Sequence, residues 1–172
     1  MLTRLWAVSV AVVLALAVSG CSYEEDSSHG EYSTLSGAIS RNDLPQVLEM
    51  LSAGVDPNEI GSRGAVAIVD ASMGGISAVV AALLAAGADP NLVAAEDRFT
   101  ALMGAATRAY ADGAEIVGML IAAGADPCPT APVDREPSLF GGKFDNLTAL
   151  EIARQVGNAD SEARIAMVSS PC

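Results

Sequence analysis

Apolar residues recur at helical spacing along most of the chain after residue 32. In the clearest stretch, Val79, Val80, Leu83 and Leu84 occupy positions i, i+1, i+4 and i+5, which form one apolar face of a helix. Similar stretches recur before and after this one, and Pro- and Gly-containing segments separate them. The pattern predicts eight helices in four pairs, which lie near 33–40 and 44–52, 66–73 and 77–85, 100–110 and 114–122, and 148–156 and 161–168.

One ten-residue phrase occurs three times, at the end of the second helix of a predicted pair. It reads "MLSAGVDPNE" at 50–59, "LLAAGADPNL" at 83–92 and "LIAAGADPCP" at 120–129. Its glycine falls at Gly54, Gly87 and Gly124, at intervals of 33 and 37 residues. A glycine accommodates a left-handed helix end, and the proline that follows cannot continue the helix. Because one such unit cannot bury its apolar face alone, the units are expected to stack.

The repeated letters resemble those of the ankyrin repeat family, whose period is 33 residues. The resemblance is carried by "TALMGAA" at 100–106, "TALEIAR" at 148–154, "ISAVVAALLAAGADPN" at 76–91 and "NDLPQVLEMLSAGVDPN" at 42–58. It implies an all-α fold, an ankyrin-repeat solenoid of about four helix-turn-helix units with short β-hairpin loops. The domain would span 32–172, with repeats at about 33–60, 61–93, 94–130 and 131–172. The histidine of the family's turn is absent, since Ser36, Val69, Met103 and Glu151 occupy its column.

The first twenty residues have the layout of an export signal. Arg4 precedes an unbroken apolar run over 5–17, and Val18-Ser19-Gly20 leads into Cys21. The order resembles the lipobox of bacterial lipoproteins, which implies that 1–20 are a signal peptide and that Cys21 carries the lipid. The resemblance places the protein in the bacterial cell envelope, at the outer membrane facing the periplasm, with membrane contact through the lipid anchor only. An ordinary secretory signal or an anchoring helix is the alternative. The polar, acidic segment 21–31 is expected to be a flexible tether.

Charge and residue types exclude several functions. The chain holds 21 acidic and 9 basic residues, a net charge of −12, which disfavours nucleic acid as a partner. The single histidine, His29, lies in the predicted tether, and no Cys-x-x-Cys or metal-spaced cluster is present. We therefore expect no enzyme activity, no cofactor and no metal. Asp70 stands in an otherwise apolar helix, and the sequence leaves open whether it faces the groove or is buried with a partner such as an arginine.

A protein partner is the expected ligand, and the chain is expected to be a monomer. By the family resemblance, hairpin tips and the exposed faces of the first helices form the binding surface. Aromatic residues and arginine commonly anchor such interfaces, although each phenylalanine could instead plug a gap between hairpins. The insertion at 128–147 could bind or be a passive loop. The alternative function is an acidic inhibitor, or an immunity or stress accessory, that masks a basic cleft of a partner enzyme. The candidate partner-binding residues are Arg63, Met73, Glu96, Asp97, Phe99, Arg108, Tyr110, Phe140, Phe144 and Asp145.

Two cysteines remain once Cys21 is assigned to lipid. Cys128 stands where the repeated phrase has Asn58 and Asn91, and Cys172 falls within one residue of the same column in the fourth unit. Disulfides are stable in exported proteins, so the sequence predicts a Cys128–Cys172 bridge at the end of the stack. Two free thiols are the alternative.

Overall fold

The computed structural model of the chain describes residues 34–61, 64–93, 99–108, 111–130 and 147–169. The chain divides into two compact units, Met1–Gly30 and Glu31–Cys172. Every described residue belongs to the second unit. The predicted signal peptide at 1–20 and the whole of the predicted tether at 21–31 therefore lie outside the described residues, as do 131–146 of the insertion.

The described residues form a mainly helical structure, which confirms the all-α class. Two of the predicted helices, 44–52 and 77–85, have the bounds that the apolar pattern indicated. The eight helices are α1 (Leu35–Ser40), α2 (Leu44–Ser52), α3 (Ala67–Gly74), α4 (Ser77–Ala85), α5 (Ala101–Ala106), α6 (Ala111–Ala122), α7 (Ala149–Val156) and α8 (Ala159–Ala166).

Side-chain caps begin most of these short helices. Thr34, Asp43, Thr100 and Thr148 each accept a hydrogen bond from a backbone N–H in the first turn of the helix that follows. The Thr148 cap is reinforced because the Glu151 carboxylate accepts a bond of 2.8 Å from the Thr148 backbone N–H. This bond lowers the pKa of Glu151. The caps satisfy helix N–H groups that have no partner within the helix.

The helices pack in two rows. The first row consists of α1, α3, α5 and α7, the second of α2, α4, α6 and α8, and each helix contacts its neighbours within its row and its partner in the other row. The core lies between the rows and is aliphatic, with no phenylalanine or tryptophan among the fully buried residues of the described ranges. Its largest fully buried side chains are Ile68, Leu83, Leu102, Met103, Ile116, Leu120, Ile152 and Ile165. Small side chains, such as Ala38, Ala71, Ala105 and Ala153, let the first-row helices approach closely.

The predicted β-hairpins do not form strands in the described residues. Two isolated antiparallel bridges, Ile60 with Val66 and Val93 with Thr100, close the segments that lead into α3 and α5. A lone two-stranded hairpin has little stability in water. One bridging pair at the base of each loop is therefore all the strand pairing seen there.

The third unit, whose glycine lies 37 and not 33 residues after the preceding one, differs from the predicted helices at 100–110 and 114–122. Its first helix, α5, ends at Ala106, whereas its second helix, α6, begins at Ala111 and has twelve residues. Gly113 makes this start possible, because a Cβ there would lie 2.9 Å from the Ala105 carbonyl oxygen and closer still to that of Arg108. The extra residues thus extend the start of the second helix, where a glycine allows close packing on the end of α5.

The repeated phrase forms the same hydrogen bonds in successive units. The Asp56 carboxylate accepts from the Asn58 backbone N–H at 2.9 Å, and Asp89 and Asp126 do the same for residues 91 and 128. The asparagine then bridges to the next unit. The side-chain oxygen of Asn58 accepts from the Asp89 N–H at 2.7 Å, and its amide donates to the Gly87 carbonyl at 3.2 Å. We call this series of inter-unit bonds the asparagine ladder.

Asn91 repeats the ladder one unit further on. It accepts from the Asp126 N–H at 2.7 Å and donates to the Gly124 carbonyl at 3.1 Å. The ladder stops at the third unit, where Cys128 replaces the asparagine. Its recurrence shows that the repeated letters encode contacts between consecutive units and not only the turn itself.

Replacing Asn91 with alanine should lower the free energy of unfolding by about 1–1.5 kcal/mol, because two exposed inter-unit hydrogen bonds are lost and water can partly replace them. Asn91→Asp keeps the oxygen that accepts from the Asp126 N–H, so it should lower the free energy of unfolding by about half as much. Urea unfolding followed by circular dichroism measures both. Asn58→Ala, which removes the equivalent pair of bonds, should give a similar loss. An Asn91→Ala midpoint equal to that of the wild type would contradict an energetic role for the ladder.

Candidate partner-binding surface

Three of the candidate partner-binding residues lie within the described part of the chain: Met73, Phe99 and Arg108. The other candidates, and two of the three cysteines, lie outside the described residues, so their predicted roles stay predictions. These residues are Cys21, Arg63, Glu96, Asp97, Tyr110, Phe140, Phe144, Asp145 and Cys172.

Met73 and Arg108 meet where two first-row helices end. The Arg108 Nε–H donates to the Met73 carbonyl oxygen at 2.5 Å, which ties the loop after α5 to the last turn of α3. Met73 itself packs on α5 above Gly104, where an added Cβ would lie 2.8 Å from the Met73 Cγ. Gly104 therefore allows the two helices to approach closely. The structure brings these two candidates together, and both are half-buried.

Arg108 is also bound from the fourth unit. The side-chain amide of Asn158, a residue only 4% exposed, donates to the Arg108 backbone carbonyl. The side-chain oxygen of Asn158 accepts from the Ser161 N–H at 3.1 Å and so begins α8. Arg108 thus connects three consecutive units. Because arginine has five N–H donors, a bond from Nε leaves the terminal nitrogens for other acceptors.

Asn158 is a structurally important residue that the sequence did not single out. An asparagine directly after a glycine and before an acidic turn is a recognisable N-cap signal, and it could have placed the start of α8 at Ala159. The contact with Arg108 spans fifty positions of the chain. Nothing local indicates it.

Phe99 lies just before Thr100, the residue that caps α5. It is half-buried and packs against the hydrophobic core. An aromatic ring in this position contributes to the packing between units and keeps part of its surface accessible. Phe99 belongs to the same unit as Arg108.

Asp70 is the acidic group whose environment is most unusual among the described residues. It lies on α3, and burial raises the pKa of its carboxyl group, while a hydrogen bond with the Ser36 side chain acts in the opposite direction. Ser36 belongs to α1, so the contact joins the first two units. Asp70 faces the neighbouring first-row helix, half-buried.

Cys128 is disulfide-bonded. Its partner lies outside the described residues, so the pairing with Cys172 stays a prediction. The Asp126 carboxylate still accepts from the Cys128 backbone N–H at 2.9 Å, so the turn has the same form as in the first two units. What changes at this position is the side chain: the amide of the first two units is replaced by a sulfur that forms a disulfide bond.

The described residues hold no group of three or more histidine, cysteine or acidic side chains placed to bind a metal ion. None of the helices in this part of the chain is long and apolar enough to cross a membrane.

No protein-family model matches the chain, and no curated protein matches it significantly. The resemblance to ankyrin repeats therefore depends on the repeated residues and their spacing.

Proposed function

We propose that the chain is an ankyrin-repeat protein-binding module, held at the bacterial cell envelope by a lipid on Cys21 and facing the periplasm. The observation that carries the proposal is the asparagine ladder, because the same two inter-unit hydrogen bonds recur at Asn58 and Asn91 with the period of the repeated phrase. Recurrent contacts between equivalent residues are typical of a repeat stack, whose extended surface suits a protein partner.

The proposed binding surface is the exposed side of the first row together with the loops that precede it. Among the described residues, Met73, Arg108 and Phe99 would contribute to it. A long methionine side chain and an arginine supported by neighbouring units are well suited to contact a partner, because their positions are already restricted before binding. The insertion at 128–147 precedes α7 in the sequence, as the other loops precede their first-row helices, and it would extend this surface.

The acidic excess favours a second candidate, an inhibitor or accessory protein that masks a basic cleft of an enzyme. The net charge of −12 would then provide most of the attraction. Binding through charge weakens steeply with ionic strength, whereas binding through an apolar surface does not. Affinity measured at low and at high salt therefore separates the two candidates.

Replacing Phe144 and Asp145 with alanine should abolish capture of the partner from envelope extracts, because the proposed surface includes these two residues. Crosslinking followed by affinity purification of the full chain measures the capture. The control is Leu48→Ala with Glu49→Ala, two exposed residues on the second row of the first unit, which should capture as the wild type does. If the Phe144→Ala, Asp145→Ala variant still captures the partner as the wild type does, the proposed location of the surface is contradicted.

A further inference from the structure

A groove runs along the second row, between α6 and α8. Its volume is about 930 Å³, and its walls are mostly apolar. Small residues on α6, namely Ala114, Gly118 and Ala122, line one side at a spacing of four residues and leave room there between the longer side chains of Glu115 and Met119. The groove therefore offers an open cavity with an apolar floor on the surface opposite to the first row.

Met167, directly after α8, stands beside this groove and is 82% exposed. The other large exposed hydrophobic residues, Leu48, Ile60 and Val93, are 41–55% exposed. Methionine is flexible and adapts to irregular apolar cavities. An apolar side chain this exposed next to an open apolar groove is suited to burial against a second surface.

The groove also contains charges of both signs. The guanidinium of Arg164 lies over Gly118, with Nη1 2.9 Å from the position of an added Cβ. Glu115 on α6 and Asp160 on α8 line the same groove. No carboxylate of the described residues lies within ion-pairing distance of Arg164, whereas Arg154 pairs with Glu162 at 2.8 Å. Arg164 is thus a cation placed at an apolar groove without an ion pair in that part of the chain.

We infer that this groove binds a second copy of the chain. A two-fold dimer brings the same patch together from both sides, so the patch must complement itself. This patch contains two complementary pairs of features. A protruding methionine can fill an open cavity, and a cation can pair with either of two carboxylates. In a two-fold arrangement Met167 of one copy enters the groove of the other, and Arg164 of each copy faces Glu115 or Asp160 of its partner.

The mixed charge argues against other occupants. A basic segment would meet the unpaired Arg164, and an acidic segment would meet Glu115 and Asp160, so each would place like charges side by side. A partner avoids both conflicts if it places negative charge opposite Arg164 and positive charge opposite Glu115 and Asp160. A second copy rotated by two-fold symmetry offers this arrangement.

The dimer leaves the proposed partner-binding surface open. Met73 and Arg108 belong to the first row, and the groove belongs to the second. Two copies joined through their second rows would present two binding surfaces, and bivalent binding strengthens attachment to a partner that offers two sites. The inference does not depend on the proposed function, and it replaces the expectation of a monomer.

The test uses two variants of the full chain with opposite charge at the groove. Arg164→Glu makes the patch entirely acidic, and the combination of Glu115→Arg with Asp160→Arg makes it entirely basic. All three positions are exposed, so folding should be unaffected, which circular dichroism checks. In sedimentation velocity, each variant alone should dimerise at least ~10-fold more weakly than the wild type because like charges oppose. An equimolar mixture of the two should recover dimer, now composed of one copy of each.

Met167→Glu and Leu48→Glu form the matched pair for the apolar contact. Both replace an exposed apolar residue of the second row, and only Met167 lies at the groove. Met167→Glu should weaken the dimer at least ~10-fold, and Leu48→Glu should leave it unchanged. A wild-type chain that stays monomeric at roughly 0.1 mM, where a micromolar dissociation constant gives mostly dimer, would overturn the inference. A dimer that is insensitive to both charge variants would also overturn it.

Discussion

Cys128→Ala is expected to lower the free energy of unfolding by about 3–4 kcal/mol, the largest loss among the substitutions considered. Cys128 is disulfide-bonded in the structure. If its partner is Cys172, the bond closes a loop of about 45 residues, and in the chain-entropy model such a loop stabilises the folded state by roughly that amount. The bond also stands at the position where the asparagine ladder ends, so no side-chain amide remains there to hold the last unit.

Urea unfolding with and without a reducing agent measures this effect. The reductant should lower the midpoint of the wild type to that of Cys128→Ala and leave the variant unchanged. Cys172→Ala should reproduce the loss, because either half of the pair is sufficient to remove the bond. A Cys172→Ala midpoint equal to the wild-type value would show that Cys128 pairs elsewhere. Cys128→Asn tests whether an amide at this position acts as it does in the asparagine ladder. It should recover at most about 1–1.5 kcal/mol of the free energy of unfolding that Cys128→Ala loses.

Gly113→Ala is expected to lower the free energy of unfolding by about 2–3 kcal/mol, although alanine is the better helix former. In an exposed helix this exchange stabilises by roughly 1 kcal/mol. At Gly113 the new Cβ would lie 2.8 Å from the Arg108 Cβ, 2.9 Å from the Ala105 carbonyl oxygen, and closer still to the Arg108 carbonyl oxygen. Backbone atoms cannot rotate away, so α5 and α6 would have to separate, and overpacking of this kind costs about 1–3 kcal/mol or somewhat more.

Gly118→Ala in the same helix is the matched control. The nearest atom to its added Cβ is the end of the Arg164 side chain, which is flexible and can move. This variant should be as stable as the wild type or more stable by up to about 1 kcal/mol. The unfolding of both variants is measured at low protein concentration. Gly118 lines the proposed dimer groove, and at low concentration dimer formation does not affect the comparison. Equal stabilisation by the two substitutions would contradict the close approach of α5 and α6.

The helices were the most predictable part of this protein, because their pattern is local. Four-residue spacing of aliphatic side chains marked α2 and α4 to the residue, and the repeated glycine and proline marked where the second helix ends in the first three pairs. The start of α8 was predicted at residue 161 because the cap at Asn158 was not considered. The third unit was misjudged for a different reason. Whether extra residues extend α5 or α6 depends on whether Gly113 can pack against the end of α5, which is a contact between two helices.

For the candidate binding residues too, the sequence indicated local positions but not the contacts between units. The resemblance placed Met73 and Arg108 among the partner-binding positions of neighbouring units, and the structure brings them into contact. The resemblance did not indicate that Arg108 would donate to the Met73 backbone, nor that Asn158 would bind the Arg108 carbonyl from the fourth unit. Such bonds depend on the distance between units, and that distance follows from the size of the residues that pack between them, including Gly104.

The sequence alone determined the helical class, the period of 33 residues and the turn that repeats with it, because each depends on the spacing of residue types along a few turns of chain. Only the tertiary structure decided what the repeated asparagine does, how the third unit accommodates its extra residues, and that an open groove with Met167 and Arg164 lies between α6 and α8. The asparagine bonds and the groove arise from residues more than 30 positions apart, and the third unit from residues of two different helices, all of which meet only after packing. The energy of such contacts depends on distance and direction in space, which the order of residues does not specify.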